Sequence, residues 1–252
     1  MIINSNNKFQ IFEHGIDTYL YIAIQSGFRY GNSYNKYVIT GYPGMGFNIF
    51  YLARQNDLLK DAIAENLPFI CFPQQDLENH FEKIAHYYEL TLVDKVMANR
   101  LDISHNWHYD SSDNIRIDKI HSDKELILFD EISSECFAEP KGLAYNFLKK
   151  VAIGNDICEL FLAYYNDIPV GTAMISFVNN IAGLYWLSVL PQYRNKGIAT
   201  ELTNYVVNQA RQKGQNTVIS QNMTPSQSLV QKIGFTPCGL LPLYGYVGKN
   251  AL

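Results

Sequence analysis

The chain has 252 residues, 24 Asp and Glu against 20 Lys and Arg for a net charge of −4, and is 47% hydrophobic and 17% charged. That balance supplies core for one large domain or two ordinary ones and excludes a disordered chain, while the absence of a basic excess argues against a general nucleic-acid binder. Residues 1–8 lack the charged start and apolar core of a signal peptide, and no segment carries the roughly eighteen apolar residues of a membrane span, so a soluble, cytoplasmic chain without a membrane partner is expected. Cys71, Cys136, Cys158 and Cys238 are scattered, with no Cys-x-x-Cys pair, and read as reduced core thiols.

In chain order, the turn Gly41-Tyr42-Pro43-Gly44-Met45-Gly46 precedes a strand and not a helix. No helix N-terminus would face a phosphate there, and it reads as a tight turn instead of a nucleotide site. Residues 46–54 are strand-like, 57–67 form an amphipathic helix with Leu58, Leu59, Ala62 and Ile63 on one face, and 68–73 are a short buried strand. Asp76 caps a predicted helix carrying Leu77, Phe81, Ile84 and Ala85, and residues 90–96 extend again. This alternation predicts an α/β domain over residues 1–110. The polar stretch 104–114 is the predicted linker. His105 and His108 lie three apart without a suitably spaced Cys or carboxylate, and Asp110 and Asp113 lack the spacing of a calcium loop, so no metal is assigned.

A second domain is predicted over residues 111–252. It starts with a strand at 115–120, a helix capped by Ser122 with Leu126, Phe129 and Ile132 inward, a second helix at 140–151, and a hairpin of 159–165 with 170–177 about Asn166-Asp167. Pro169 suits the start of the second hairpin strand. Residues 182–189 are the next strand, ended by Pro191, and Ile198, Leu202, Tyr205, Val206 and Ala210 recur at helical spacing until Gly214. Between them, Gln192-Tyr193-Arg194-Asn195-Lys196-Gly197-Ile198-Ala199-Thr200 forms a glycine-bearing turn opening a helix. Its unpaired N–H groups and positive dipole end favour an anion, with Gly197 admitting close approach and Arg194 and Lys196 adding charge at the rim. A strand at 216–220, a helix at 225–232 stopped by Ile233-Gly234-Phe235, and a strand at 241–247 complete the chain.

Arg194-x-x-Gly197-x-Ala199, preceded by Leu187-Ser188-Val189-Leu190-Pro191 and followed by Thr200, resembles the acyl-CoA pyrophosphate loop of the Gcn5-related N-acetyltransferases (GNAT). Ile233-Gly234-Phe235 is similar to that family's helix-ending signature, and the two cover about the last 140 residues, the size of one domain. The first half loosely resembles a degenerate acetyltransferase-fold domain through its element order. The resemblance implies an α/β protein with a mixed α+β sheet: a C-terminal acyl-CoA N-acyltransferase fold and a smaller N-terminal α/β domain that shapes the acceptor pocket or an interface.

The resemblance further implies an N-acetyltransferase with acetyl-CoA as cosubstrate, acting by direct attack of a primary amine on a small molecule or peptide; the mild negative charge is compatible with a cationic acceptor. CoA would be held by Arg194, Asn195, Lys196, Gly197, Ile198, Ala199 and Thr200, with the backbone at Leu187 and Val189 binding the pantetheine arm, the Val189 N–H meeting the oxyanion, and Asn222 near the arm. Where many members place a proton-donating tyrosine four residues before the glycine, this chain has Val230. Tyr244 and Tyr246 are substitute donors, with edge-strand packing as the alternative; Glu159, Tyr185 and Ser188 are strand residues near the expected cleft. A non-catalytic acyl-CoA-binding regulator and an enzyme using a larger acyl or an aminoacyl donor are the rival readings. Apolar C-terminal strands could pair within the chain or between two chains as a homodimer, and no Gly-x-Ser-x-Gly hydrolase elbow is present.

Overall fold

The computed structural model describes residues 7–53, 57–104 and 114–248. The histidines and aspartates of the predicted linker therefore lie outside the described residues. The described chain opens with helix α1 (Lys8–Ser26), where the Asn7 side chain accepts the Phe9 N–H at 2.9 Å and Gly27, left-handed at φ 74°, stops the last turn. Ile11, Phe12, Ile16, Leu20 and Ala23 form its buried face. No element was expected here, although the cap, the helical spacing and the terminal glycine are all in the sequence.

Strands β1 (Arg29–Asn32) and β2 (Lys36–Ile39) form a hairpin, and a 3-10 turn at Met45–Phe47 leads into β3 (Asn48–Leu52). Then come α2 (Leu58–Ala64), β4 (Phe69–Pro73), α3 (Phe81–Tyr87) and the long β5 (Thr91–Asp102). Asp76 does not cap a helix: it lies in a 3-10 stretch, Gln75–His80, and α3 begins only at Phe81. The second half supplies β6 (Ile115–Lys119), α4 (Asp123–Phe137), α5 (Leu143–Leu148), β7 (Cys158–Tyr165), β8 (Ile168–Ser176) and β9 (Ala182–Val189). It continues with α6 (Ile198–Gln212), β10 (Thr217–Asn222), α7 (Thr224–Ile233) and β11 (Thr236–Tyr246). Ser122 caps α4 by accepting the Glu125 N–H, and Asn166 and Asp167, both at positive φ, turn the β7–β8 hairpin as its sequence demands.

The eleven strands of the described residues join one mixed sheet in the order β1-β2-β3-β4-β11-β5-β10-β9-β8-β7-β6. The pairs β3–β4 and β9–β10 are parallel and the others antiparallel. The expected mixed α/β sheet is therefore present. Strand β5 from the first half sits between β10 and β11 of the second, and β11 in turn pairs with β4.

One face of the sheet is covered by α1, α4 and α5, whose apolar residues share a core with β9 and the first-half strands; on the other face α6 and α7 cover a second core. Phe147 of α5 locks the halves together. Its ring lies 5.0 Å from Tyr19, 5.9 Å from Phe28 and 5.6 Å from Phe47, all of the first half, and 6.5 Å from Trp186 of β9. Phe147→Ala should cost about 3–5 kcal/mol, the usual range for deleting a fully buried ring, read as a lowered urea midpoint with both halves unfolding earlier.

Candidate functional site

The site begins where two parallel strands part. Strand β9 pairs with β10 only from Ala182 to Leu184, against Val218 to Ser220, yet both strands run on beyond that point. On its other edge β9 pairs with β8 through a register shift: Tyr185 opposes Met174 and Ser188 opposes Thr172, so Trp186 and Leu187 share the space opposite Ala173. Trp186 is left-handed at φ 54°, uncommon for a bulky residue, and such bulges re-aim a strand beside a site. Thr172 Oγ1 fixes the bulge by donating to the Trp186 carbonyl at 2.9 Å while bonding Ser188 Oγ at 2.7 Å.

The Leu190 N–H donates to the Val170 carbonyl at 2.9 Å. By the alternation of an antiparallel ladder, the N–H and C=O of Val189 then point away from β8, into the fork between β9 and β10, as do those of Leu187 two residues back. Of these groups the Val189 carbonyl is taken by Arg194, and the Val189 N–H remains available to an extended ligand.

Beyond Val189 the chain makes a 3-10 turn, Pro191–Tyr193, passes left-handed Asn195 (φ 63°) and Gly197 (φ 79°), and enters α6. Ile198, Leu202, Val206, Val207 and Ala210 bury one face of α6, which fixes its N-terminus at the fork. No side chain caps that N-terminus, so the first N–H groups, at Ile198, Ala199 and Thr200, face outward with the positive end of the helix dipole. A Cβ added at Gly197 would meet nothing within 4 Å; the space before the helix is open, and only glycine takes this backbone conformation without strain. Arg194 is not simply a rim charge. Its Nε donates to the Val189 carbonyl at 3.0 Å, tying the turn to the fork strand, while the Lys196 ammonium lies 5.3 Å from the Tyr165 ring centre.

Asn222 lies on the other arm of the fork, at the end of β10. It is buried, and its Oδ1 accepts from Asn99 Nδ2 at 3.0 Å and from Ser220 Oγ at 2.6 Å. Val230 is fully buried in the core beneath α6 and α7. Tyr244 and Tyr246 do not reach the fork. They pair with Cys71 and Phe69 of β4, pack on Phe81 and Phe69 in a first-half core, and the Tyr246 hydroxyl meets Asn66 Oδ1 at 3.2 Å. Strand β11 lies between β4 and β5, away from β9, so both tyrosines pack in the interior of the sheet and not on an edge strand as the alternative reading had it. Glu159 is likewise committed elsewhere: it is buried between Lys119 and Lys213, at 2.7 and 2.9 Å. Ser188 is held by Thr172.

Tyr185 has a partner that its sequence context does not reveal. Its hydroxyl lies 2.7 Å from His14 Nδ1 of α1, and His14 Nε2 lies 3.0 Å from the Ile181 carbonyl. A carbonyl only accepts, so Nε2 carries the proton and Nδ1 accepts from the tyrosine. Of the four cysteines, Cys71 and Cys158 are buried, while Cys136 and Cys238 are half-buried; all are free thiols, raised in pKa by burial. Among the described residues no group of three or more His, Cys, Asp or Glu gathers as a metal site, and no helix is long and apolar enough to cross a membrane.

Residues 126–235 match the model of the Acetyltransferase (GNAT) family. A curated Bacillus subtilis protein that carries the provisional name of acetyltransferase is 24% identical over 123 residues, 48% of this chain and 83% of that protein. Among solved structures, a GCN5-related N-acetyltransferase from Kribbella flavida superimposes with a TM-score of 0.69 over 93% of this chain and 95% of its own, at 12% identity. One from Sphaerobacter thermophilus gives 0.62 over 86% of this chain and 77% of its own, at 11% identity. The acyl-CoA N-acyltransferase fold thus extends across both halves, not only the matched segment.

The His14 contact sets a pH dependence. Burial holds the imidazole neutral and lowers its pKa from 6.5 to about 4, against the raising influence of the Ile181 carbonyl and Asp17. The stability it contributes is complete above the unfolded value and is lost as pH falls from 6.5 through about 4, a change on the order of 3 kcal/mol. His14→Asn should flatten the decline of the urea midpoint across that window, most visibly on its upper side, where few carboxylates titrate.

Proposed function

We propose, from the premise that residues 126–235 form a GNAT-family acetyltransferase domain, that the chain transfers the acetyl group of acetyl-CoA to a primary amine by direct attack. The observation that supports this is the junction of an uncapped, open helix N-terminus at Gly197 with the Val189 N–H at the strand fork, the Val189 carbonyl being taken by Arg194. The pyrophosphate would lie on the N–H groups of Ile198, Ala199 and Thr200, beside Asn195 and Lys196. The pantetheine arm would run along Leu187 and Val189 as an added strand, with Asn222 on the opposite arm. In this reading residues 111–252 hold the donor and residues 1–110 wall the acceptor side.

A neutral amine attacks the thioester carbon, the C–N bond forms, and the Val189 N–H stabilises the charge that develops on the carbonyl oxygen. The C–S bond then breaks, the amine nitrogen loses its extra proton, and CoA leaves as thiolate. Val230 cannot protonate that thiolate, and the two C-terminal tyrosines are packed elsewhere. A thiol with a pKa near about 8.5 is a fair leaving group unassisted and collects its proton from water. Val230 also favours a second reading, an acyl-CoA-binding regulator without turnover.

Thermal denaturation with acetyl-CoA, free CoA and ADP separates these readings from failure of the site. Saturation at about one hundred times the dissociation constant should add about 2.7 kcal/mol, raising the melting temperature by several degrees. Gly197→Trp should abolish the shift, and an unchanged shift in that variant overturns the cradle assignment. Release of CoA thiol on adding primary amines marks the enzyme; tight binding with no release across an amine panel marks the regulator.

A further inference from the structure

On the face of the sheet away from α6, the fork opens into a cavity of about 380 Å³. Its floor is Tyr185 and Trp186, the β9 residues immediately before Leu187, and Met223 just past the end of β10. The cavity therefore adjoins the place where the backbone of the site is exposed. Its opposite wall comes from the first half, notably Tyr19, Phe47 and Ile70, and α4 adds Phe137.

The wall is almost wholly apolar. Three of its hydroxyls are engaged: Ser133 Oγ donates to the Phe129 carbonyl at 2.7 Å, Ser134 Oγ reaches the Pro140 carbonyl at 3.5 Å, and the Tyr185 hydroxyl bonds His14. Glu139 is the exception. One of its oxygens accepts the Gly46 N–H at a long 3.4 Å, and the other has no hydrogen-bond partner among the described residues. Among the described residues no Lys or Arg lines the cavity. Burial raises the Glu139 pKa above the ordinary carboxylate value, against the lowering influence of the Gly46 N–H.

This carboxylate is held where it is by two backbone devices. Ala138, left-handed at φ 55°, ends α4 and turns the chain so that Glu139 departs from the helix. From the first half, the Gly44-Met45-Gly46 turn lies against the carboxylate so closely that any side chain at Gly44 would collide with it. The glycine run read from sequence as a tight turn thus packs against this carboxylate.

Resting on the acetyl-transfer reading, we infer that this cavity is the acceptor site and that its acceptor is a small arylalkylamine, whose ring lies among Phe47, Phe137 and Trp186 and whose nitrogen docks as the ammonium against Glu139 and releases a proton to solvent before attacking as the neutral amine. A carboxylate without a cationic partner in an apolar wall selects a single positive charge. The aromatic lining selects a flat apolar body, which a polyamine lacks. The volume suits a molecule of this class with room for the acetyl group.

Equilibrium binding of 2-phenylethylamine, 2-phenylethanol and spermidine to the full chain and to Glu139→Gln tests the inference without needing turnover. The wild type should bind 2-phenylethylamine more tightly than either of the others, and E139Q should weaken it about tenfold or more while leaving 2-phenylethanol unchanged. Equal 2-phenylethylamine affinity in wild type and E139Q, or a preference for spermidine, overturns it. Phe137→Ala, which shortens an exposed ring packed edge-on against Trp186, should weaken 2-phenylethylamine and spare acetyl-CoA, and supplies the second variant should E139Q fold poorly. Acetyl-CoA affinity measured alongside separates the two ideas: loss of donor binding by the wild type refutes the transferase reading, whereas donor binding without amine discrimination refutes only this one. With both substrates bound, E139Q should raise the KM for 2-phenylethylamine and leave that for acetyl-CoA unchanged.

Discussion

Everything at the site depends on β10 being held from the side away from β9. Buried backbone N–H and C=O groups must be paired, and a strand that parts from its neighbour normally leaves a row of them stranded. Here β5 pairs with β10 along all six residues, from Thr217 against Asp102 to Asn222 against Met97, so β10 keeps its course while only three of its residues remain bonded to β9. The open groups of β9 then face a cleft and not a void. The bulge at Trp186, fixed by Thr172, supplies the divergence from the other side.

The same arrangement explains why the first half is needed although the cradle is not in it. Its strand β5 braces the fork, its helix α1 buries His14 against Tyr185, and its aromatic residues close on Phe147. Lys36 pairs with Glu13 and Asp17 at 2.8 and 2.6 Å, fastening α1 to the β1–β2 hairpin. The cavity beside β9 is thus walled by one set of contacts and the turn at Arg194 to Thr200 is held by another.

The sequence discloses these parts unequally. The turn at Arg194 to Thr200, the hairpin at Asn166-Asp167 and the α7 stop at Gly234 are legible because each is local: special backbone angles, a helix start and an apolar period fall within a few residues. Helix α1 is equally local, since Asn7, the apolar spacing and Gly27 all lie within it or at its ends. The fork bulge, the His14–Tyr185 pair and Glu139 are another matter. They bring together residues 171 apart in one case and 93 in another, and nothing near Glu139 in sequence marks it out from any acidic residue following a helix. The tyrosines of β11 mislead for the same reason, since the insertion of β5 moves them to a core that local pattern cannot anticipate.

The place of β11 has a consequence for how the chain comes into being. Strands β4 and β5 of the first half do not touch each other in the sheet; β11 fills the gap between them, and β10 covers the far edge of β5. On the ribosome, β5 is complete at residue 102, while its two partners begin only at residues 217 and 236. Until then the first half offers three unpaired strand edges, one on β4 and both of β5, the geometry prone to pairing with a stranger. The nascent protein must be slow to close, in keeping with its long-range strand pairings, and is exposed to mispairing until the last strand enters. A fold that gains its ligand cleft by lacing two halves together is thereby one whose birth is its most vulnerable moment.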